Sequence, residues 1–388
     1  MTALHNSRFD VVIIGAGPAG TTCAALLARR GIHVLLCDKS KFPREKICGD
    51  CVNPGCWDSF RLLGVEDEVA DNAEFIKSIK IAGRSGKVLD IPVDNNPSHT
   101  RLSPFIAIKR NVLDSILLNR AVMEGATFCE STLIDSICFR KSGKESWEIF
   151  LQKQGAGETF RVDCTTLIGA DGRNSRVARL LAGFDDEKDS VKEAGSGRIG
   201  VQFTVRRTNT IDSDVLMFFF DGGYGGIVSV NAGEANVAMV VTRSLARLAF
   251  TDVESFIAKT IHSNPYAQRT NSGLEVTGEI HTAFPITPRV NRRKYPSAYL
   301  VGDARRTTEP FTGEGVFFAI QDGLRTAHLV SKSFGIVKNE LSIPSRNRFW
   351  RDNVFSPVLQ RESMTENLLA LGLRHERLVK LASKMVFR

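Results

Sequence analysis

Residues 9–38 constrain the fold more than any other part of the chain. Val11–Ile14 is a short apolar run with the look of a strand buried on both faces. It ends in Gly15-Ala-Gly17-Pro18-Ala19-Gly20, a Gly-x-Gly-x-x-Gly turn. Ala19 to Arg30 reads as a helix and Val34 to Cys37 as a second strand. Asp38 closes that strand 18 residues after Gly20. All four parts of a dinucleotide-binding βαβ unit are therefore present. Gly15 permits the tight turn, Gly17 lets backbone approach a pyrophosphate, and Gly20 lets the helix lie against the strand. The helix N-terminus offers free N–H groups and a partial positive charge to the phosphates. Asp38 can accept hydrogen bonds from a ribose diol.

The chain has 388 residues, enough for one to three domains. It contains no run of 18 apolar residues, and its first eight residues are not a signal sequence. A cytoplasmic protein is expected, with its eight cysteines reduced. The formal charge is +8, and residues 331–388 carry 11 Lys and Arg against 5 Asp and Glu. This tail reads as helical and basic. Such a tail can be a solvated face, steer phosphorylated cofactors or make a peripheral contact with an anionic membrane. No nucleic-acid module is visible, and aromatics are not interleaved with the charges.

Past the βαβ unit, strand-like stretches dominate 76–107, 126–168 and 195–243, and helices are expected over 110–125 and about 314–333. The expected organisation is a discontinuous nucleotide domain (1–75, 105–180 and 283–330), an inserted antiparallel sheet domain (76–104 and 181–282) and the tail (331–388). No second Gly-x-Gly-x-x-Gly occurs.

Two later motifs narrow the cofactor. Leu167-Ile-Gly-Ala-Asp171-Gly172 is a strand ending in an Asp-Gly turn before a helix. Ala298-Tyr-Leu-Val-Gly302-Asp303 is a strand that delivers an aspartate to its C-terminal end, where α/β sheets place ligands. Pro310-Phe-Thr-Gly313-Glu314-Gly315-Val316 then starts a helix whose N–H groups can face an electron-rich ring.

In this order, the three motifs resemble the single-component FAD oxidoreductases: aromatic-ring monooxygenases, flavin-dependent halogenases and geranylgeranyl reductases. The resemblance covers about 9–330. It implies an α/β fold, a glutathione-reductase-like Rossmann FAD domain with an inserted antiparallel substrate sheet. It also implies roles by motif. Gly15, Gly17, Pro18, Ala19 and Gly20 hold the pyrophosphate, and Asp38 with Lys39 the adenosine ribose. Arg110 reaches the phosphate–ribityl region, Asp171 and Gly172 position FAD and NAD(P)H, Gly302 and Asp303 take the ribityl chain, and Arg44 is a further cofactor-binding candidate. Pro310, Gly313 and Gly315 line the isoalloxazine, with Glu314 and Val316 as neighbouring cofactor-binding candidates. NAD(P)H would bind transiently.

Residues 43–56 can be aligned in two ways. Cys51-Val-Asn-Pro-Gly-Cys56 resembles the redox pair of flavin disulfide reductases, but the second nucleotide fingerprint and the C-terminal His/Glu pair of that family are missing. Pro43-Arg44-x-Lys-x-Cys48-Gly49, followed by Pro54, resembles the geranylgeranyl reductase branch, which places Cys48 and Gly49 beside the flavin and makes Cys48 a candidate catalytic residue. Three cysteines lack a fourth ligand for a metal, so no metal is expected. The substrate sheet departs from both relatives. Met217-Phe-Phe-Phe-Asp-Gly-Gly-Tyr224 carries neither the reductase Tyr-x-Trp-x-Phe-Pro nor the halogenase Trp-x-Trp-x-Ile-Pro. Phe218, Phe220 and Tyr224 are candidates for an apolar substrate pocket, with core packing as the alternative. C=C reduction of a lipid- or polyketide-like substrate, free or carrier-bound, is expected. Hydroxylation is the alternative, with halogenation and disulfide reduction behind it.

Overall fold

Each of the three glycine-containing motifs sits where a parallel strand stops. The computed structural model describes residues 5–336 apart from 94–103, 142, 144, 156, 184–196, 208–213, 232, 285, 287–288, 292–293, 309 and 311–312. The basic tail beyond 336 lies outside the described residues.

The chain opens with β1 (Ser7–Ile14), α1 (Pro18–Ala28) and β2 (Val34–Cys37). Next come β3 (Cys51–Val52), α2 (Trp57–Leu63), α3 (Glu66–Asp71), β4 (Glu74–Phe75), β5 (Ser78–Ala82), β6 (Val88–Pro92) and β7 (Ile106–Ala107). α4 (Arg110–Met123), β8 (Thr127–Cys129), β9 (Thr132–Arg140), β10 (Ser146–Lys153), β11 (Thr159–Gly169) and α5 (Arg176–Ala182) follow. Then β12 (Ile199–Arg207), β13 (Val215–Phe220), β14 (Gly223–Ser229) and β15 (Glu234–Val241) lead to α6 (Arg243–Thr251), α7 (Val253–Lys259) and α8 (Pro265–Thr270). β16 (Leu274–Val276), β17 (His281–Ala283), β18 (Arg289–Val290), β19 (Ala298–Leu300), β20 (Arg306–Thr307) and α9 (Gly315–Ser333) complete it.

The first sheet runs β8-β2-β1-β11-β10-β9, with β19 also beside β11. β8, β2, β1, β11 and β19 are parallel, whereas β10 and β9 are antiparallel additions. β1, β2, β11 and β19 therefore end on one rim, at Ile14, Cys37, Gly169 and Leu300, and each hands the chain to a motif residue. α1 is buried along its whole length. Its small residues let a sheet lie on one side and α4 and α9 on others. Gly323 in α9 makes the tightest crossing, because a Cβ there would stand 2.5 Å from the Ala19 carbonyl oxygen.

The second sheet runs β16-β12-β15-β14-β13-β5-β6, with β17 beside β12. All its pairings are antiparallel except β13 with β5. Strand alternation gives it two different faces. One carries Val201, Phe203, Phe218, Phe220, Val237 and Met239 against Phe256 and Tyr266 of α7 and α8. The other carries Gln202, Asn236, Met217, Phe219 and Tyr224 and looks toward the cysteine segment. β3, β7 and β4 form a small third sheet, with Cys51 paired to Ala107 and Val52 to Ile106. It fixes the cysteine segment between the two large sheets.

Candidate flavin site

At the β1–α1 turn the first and third glycines have no room for a side chain. Gly15 has φ +107°, and a Cβ there would lie 2.3 Å from the Ala170 carbonyl oxygen. A Cβ at Gly20 would lie 1.9 Å from the Gly15 carbonyl oxygen. Gly17 differs, since its open side meets only the Arg44 guanidinium, at 3.5 Å. α1 starts at Pro18 with no side chain capping it and no acidic residue in its first turn, so its N–H groups are left for a ligand. Asp38 is placed by the end of β2. It accepts from the Ala16 N–H (2.7 Å) and the Ser40 N–H (2.8 Å). Lys39 beside it is exposed.

Next to this turn lies a group of cations. Arg44 pairs with Asp114 at 3.2 Å and stands 3.9 Å from Asp38. Arg110 holds the same buried Asp114 through Nε (3.0 Å) and Nη2 (2.9 Å). Burial works against the Arg110 charge, but Asp114 more than restores it, so the guanidinium is charged. Lys46 is the third basic neighbour. Desolvation, Arg110, Arg44 and Arg173 lower its pKa, and Asp303 opposes them. Arg173 reaches Asp303 at 4.0 Å. Arg44, Arg110, Lys46 and Arg173 thus bring four cationic side chains to this place, groups suited to a diphosphate.

Beyond the cations, three loops converge. Gly302 (φ +57°) tucks against Ala19, where a Cβ would meet the Ala19 Cβ at 3.0 Å, and this brings Asp303 beside the α1 N-terminus. Gly313 (φ +64°) lies over Cys51, whose carbonyl oxygen would be 3.7 Å from an added Cβ. Gly315 starts α9, and both Gly315 and Gly49 face open space. Glu314 is buried at the head of α9. Val316 does not present its side chain to this space; it packs into the main core with Phe317. Pro310 is exposed. The Asp171 carboxylate is turned to its own helix. It accepts from Ser175 Oγ (2.5 Å), Arg176 N (2.6 Å) and Val177 N (3.1 Å), capping α5, whereas Gly172 (φ +77°) faces Lys46.

The cysteine segment is clamped to the second sheet. The Cys48 N–H donates to Gln202 Oε1 (3.0 Å), Asn236 Nδ2 donates to the Cys48 carbonyl (2.7 Å), and Gln202 Nε2 donates to Asn236 Oδ1 (3.0 Å). Burial raises the Cys48 pKa despite Arg110 beside its sulfur. Cys48 is therefore a neutral thiol. None of the eight cysteines is in a disulfide. Burial pushes Cys51 up to about 12, so it is no ready thiolate for the disulfide chemistry considered with Cys56.

A Cβ-intolerant turn, an uncapped helix, a cation group and the open space beside Gly49 and beside Gly315 fit FAD. The chain belongs to the FAD binding domain family, which matches residues 8–332. A menaquinone reductase of Mycolicibacterium smegmatis is 28% identical over 336 residues, covering 84% of this chain and 77% of that protein. A digeranylgeranylglycerophospholipid reductase of Methanocaldococcus jannaschii is 24% identical, over 91% of this chain and 85% of that protein. Among solved structures, the FAD-dependent myxobacterial chondrochloren halogenase superposes with a TM-score of 0.72 at 20% identity, over 86% of this chain and 77% of that one. This member of the FAD family is thus an FAD-dependent oxidoreductase.

For Phe218 and Phe220 the core-packing alternative holds, and one further residue was not foreseen. Phe218 and Phe220 do not line a cleft. They are fully buried on the helix-covered face, because residues two apart on a strand share a face and this face carries Phe203 and Phe256. On the opposite face Phe219 and Tyr224, cross-strand partners, are buried as well, packed with Val240 and Ile286 and flanked by Met217, Ile81 and Leu89. Asp50 was not singled out in the sequence. It is a non-glycine residue at φ +56°, buried between Cys48 and Cys51. Burial pushes its carboxyl up to about 7, against the charge and the accepted backbone N–H of Arg110. Its only sequence signal is an Asp in a Cys-Gly-Asp-Cys run, which is compatible with an ordinary turn.

Proposed function

We propose that this FAD oxidoreductase uses NAD(P)H as its reductant and reduces a C=C bond of an apolar, isoprenoid- or quinone-like substrate. Bound FAD supplies hydride transfer. The chain's own residues bind and orient. The α1 N-terminus, Arg44 and Lys46 take the diphosphate, Asp38 the ribose, and Asp303 the ribityl hydroxyls. Gly172, on the cleft side, leaves a path for NAD(P)H. The observation that carries the substrate class is the apolar face of the second sheet that looks toward the cysteine segment. Met217, Phe219, Tyr224 and Val240 give it an apolar lining, and Gln202 and Asn236 pin that face to Cys48. The names of the reductase relatives, one for a quinone and one for a phospholipid, support the same class. Asp50, ionising near neutrality in this segment, can hold a proton close to the reacting end at pH 6 and release it at pH 8. The neutral thiol of Cys48 packs rather than attacks.

The test is steady-state turnover of short-chain isoprenoid quinones and polyprenyl lipids with NADPH or NADH. Phe219→Ser should raise KM for the apolar substrate about tenfold while leaving NAD(P)H-driven flavin bleaching unchanged. Equal KM values in the variant and the parent would remove the assignment of this face.

A further inference from the structure

A second pair of thiols lies outside the cleft chemistry. Cys37 is the last residue of β2 and Cys129 the last of β8, and they are direct partners in the parallel register. Adjacent strands run about 4.8 Å apart, inside the roughly 4.4–6.8 Å Cα range that a disulfide spans. Their side chains share one face and lie within hydrogen-bonding reach of each other. Cys37 is buried, and Cys129 is only partly covered. Both are continuous with the adenosine end of the site: Asp38 follows Cys37, and the Asp38 N–H donates to the Cys129 carbonyl at 2.9 Å.

We propose that Cys37 and Cys129 form a redox-active pair that hydrogen peroxide closes into a cross-strand disulfide, and that closure weakens FAD binding through Asp38. The electrostatics match the order of attack. The hydrogen bond from Cys37 and the charge of Lys153 lower the Cys129 pKa, while that bond and burial raise Cys37. Cys129 is thus the attacking thiolate and Cys37 the resolving thiol. Lys153 is anchored beside them, donating to the Glu130 carbonyl at 2.6 Å. Asp38 acts oppositely, opposing ionisation of Cys37. In the first step the Cys129 sulfur bonds one peroxide oxygen, the O–O bond breaks, and hydroxide leaves as water after taking a proton. In the second step the Cys37 sulfur displaces the hydroxyl from the Cys129 sulfenic acid, forming S–S and a second water. Two electrons pass from the two sulfurs to one peroxide. Drawing the sulfurs to bonding distance pulls the β2–β8 ends together at the residue that holds the ribose. The inference rests on the FAD site and is independent of the substrate.

The experiment treats the FAD-loaded protein with equimolar hydrogen peroxide and maps its peptides without reductant. The expected product is a link between the Cys37 and Cys129 peptides, two mass units below the dithiol and reversed by dithiothreitol, formed while the exposed Cys138 is still a thiol. Cys37→Ser should leave Cys129 as a sulfenic acid trapped by dimedone, and Cys129→Ser should give no link. FAD Kd should rise at least threefold on oxidation, return on reduction and stay constant in Cys129→Ser. Both thiols free while Cys138 oxidises, or over-oxidation of Cys129 without a link in the parent protein, overturns the pair. A complete link with an unchanged Kd overturns the coupling to Asp38. The parent protein's peptide map decides the pairing even if Cys37→Ser does not fold.

Discussion

Gly17 and Gly20 lie three residues apart and do different jobs. Gly20 touches backbone, so a methyl there must push β1 and α1 apart. Gly17 borders only the movable Arg44 guanidinium and the space for a diphosphate. Gly20→Ala should therefore lower the melting temperature of the FAD-free protein markedly. Gly17→Ala should melt like the parent yet bind FAD at least tenfold more weakly, as read by flavin fluorescence quenching. A second contrast lies on β13. Phe218→Ala empties a fully buried core site and should cost about 3–5 kcal/mol of stability, measured by denaturant unfolding, with no selective effect on substrate KM. Asp50 gives a pH signature. Its folded pKa of about 7 stands above the ordinary value of 3.8. The folded state then binds the extra proton between these values, so this group's contribution to stability falls as pH rises from about 4 to 7. Asp50→Asn, which tolerates the left-handed backbone, should match the parent near pH 4 and exceed it by on the order of 1–3 kcal/mol above pH 7. A constant difference across that range would show that Asp50 is not buried as a neutral acid. The glycine roles were legible in the sequence because a Gly-x-Gly-x-x-Gly turn is local chemistry. Asp50 was not, because its pKa comes from burial and from Arg110, sixty residues away.

Among elements, the strand-to-motif junctions were legible and the strand faces were not. β1, β11 and β19 are apolar runs with turn residues at their ends, and those turns became the rim of the site. The facing of β13 depends on which side α6–α8 cover. Three consecutive phenylalanines erase the polar/apolar alternation that would have revealed it. The link between the sheets was equally hidden. Gln202 on β12 and Asn236 on β15 are directly bonded to each other and to Cys48, 154 and 188 residues distant in sequence. Asn236 is buried, so Asn236→Leu leaves the Cys48 carbonyl and Gln202 without their donor and acceptor. It should cost about 1–3 kcal/mol and raise the apolar-substrate KM, measured by unfolding and turnover. Intact stability together with intact KM would mean that the clamp does not position the segment.

At the scale of the whole molecule, a parallel sheet presents a diphosphate cradle at its rim, and a largely antiparallel sheet lays an apolar face beside the flavin end. Among the described residues no helix is long and apolar enough to cross a membrane. The missing reductase and halogenase signatures on β13 and β14 left the reaction open in the sequence, because reduction and oxygen chemistry can share one cradle. The decisive measurement is a single turnover of photoreduced, FAD-loaded protein with an isoprenoid quinone or polyprenyl lipid under strict anaerobiosis. Reduction of the C=C bond predicts a product two mass units heavier than the substrate, formed without oxygen. Product that forms only when oxygen is admitted, carrying one atom from 18-oxygen gas, would contradict it.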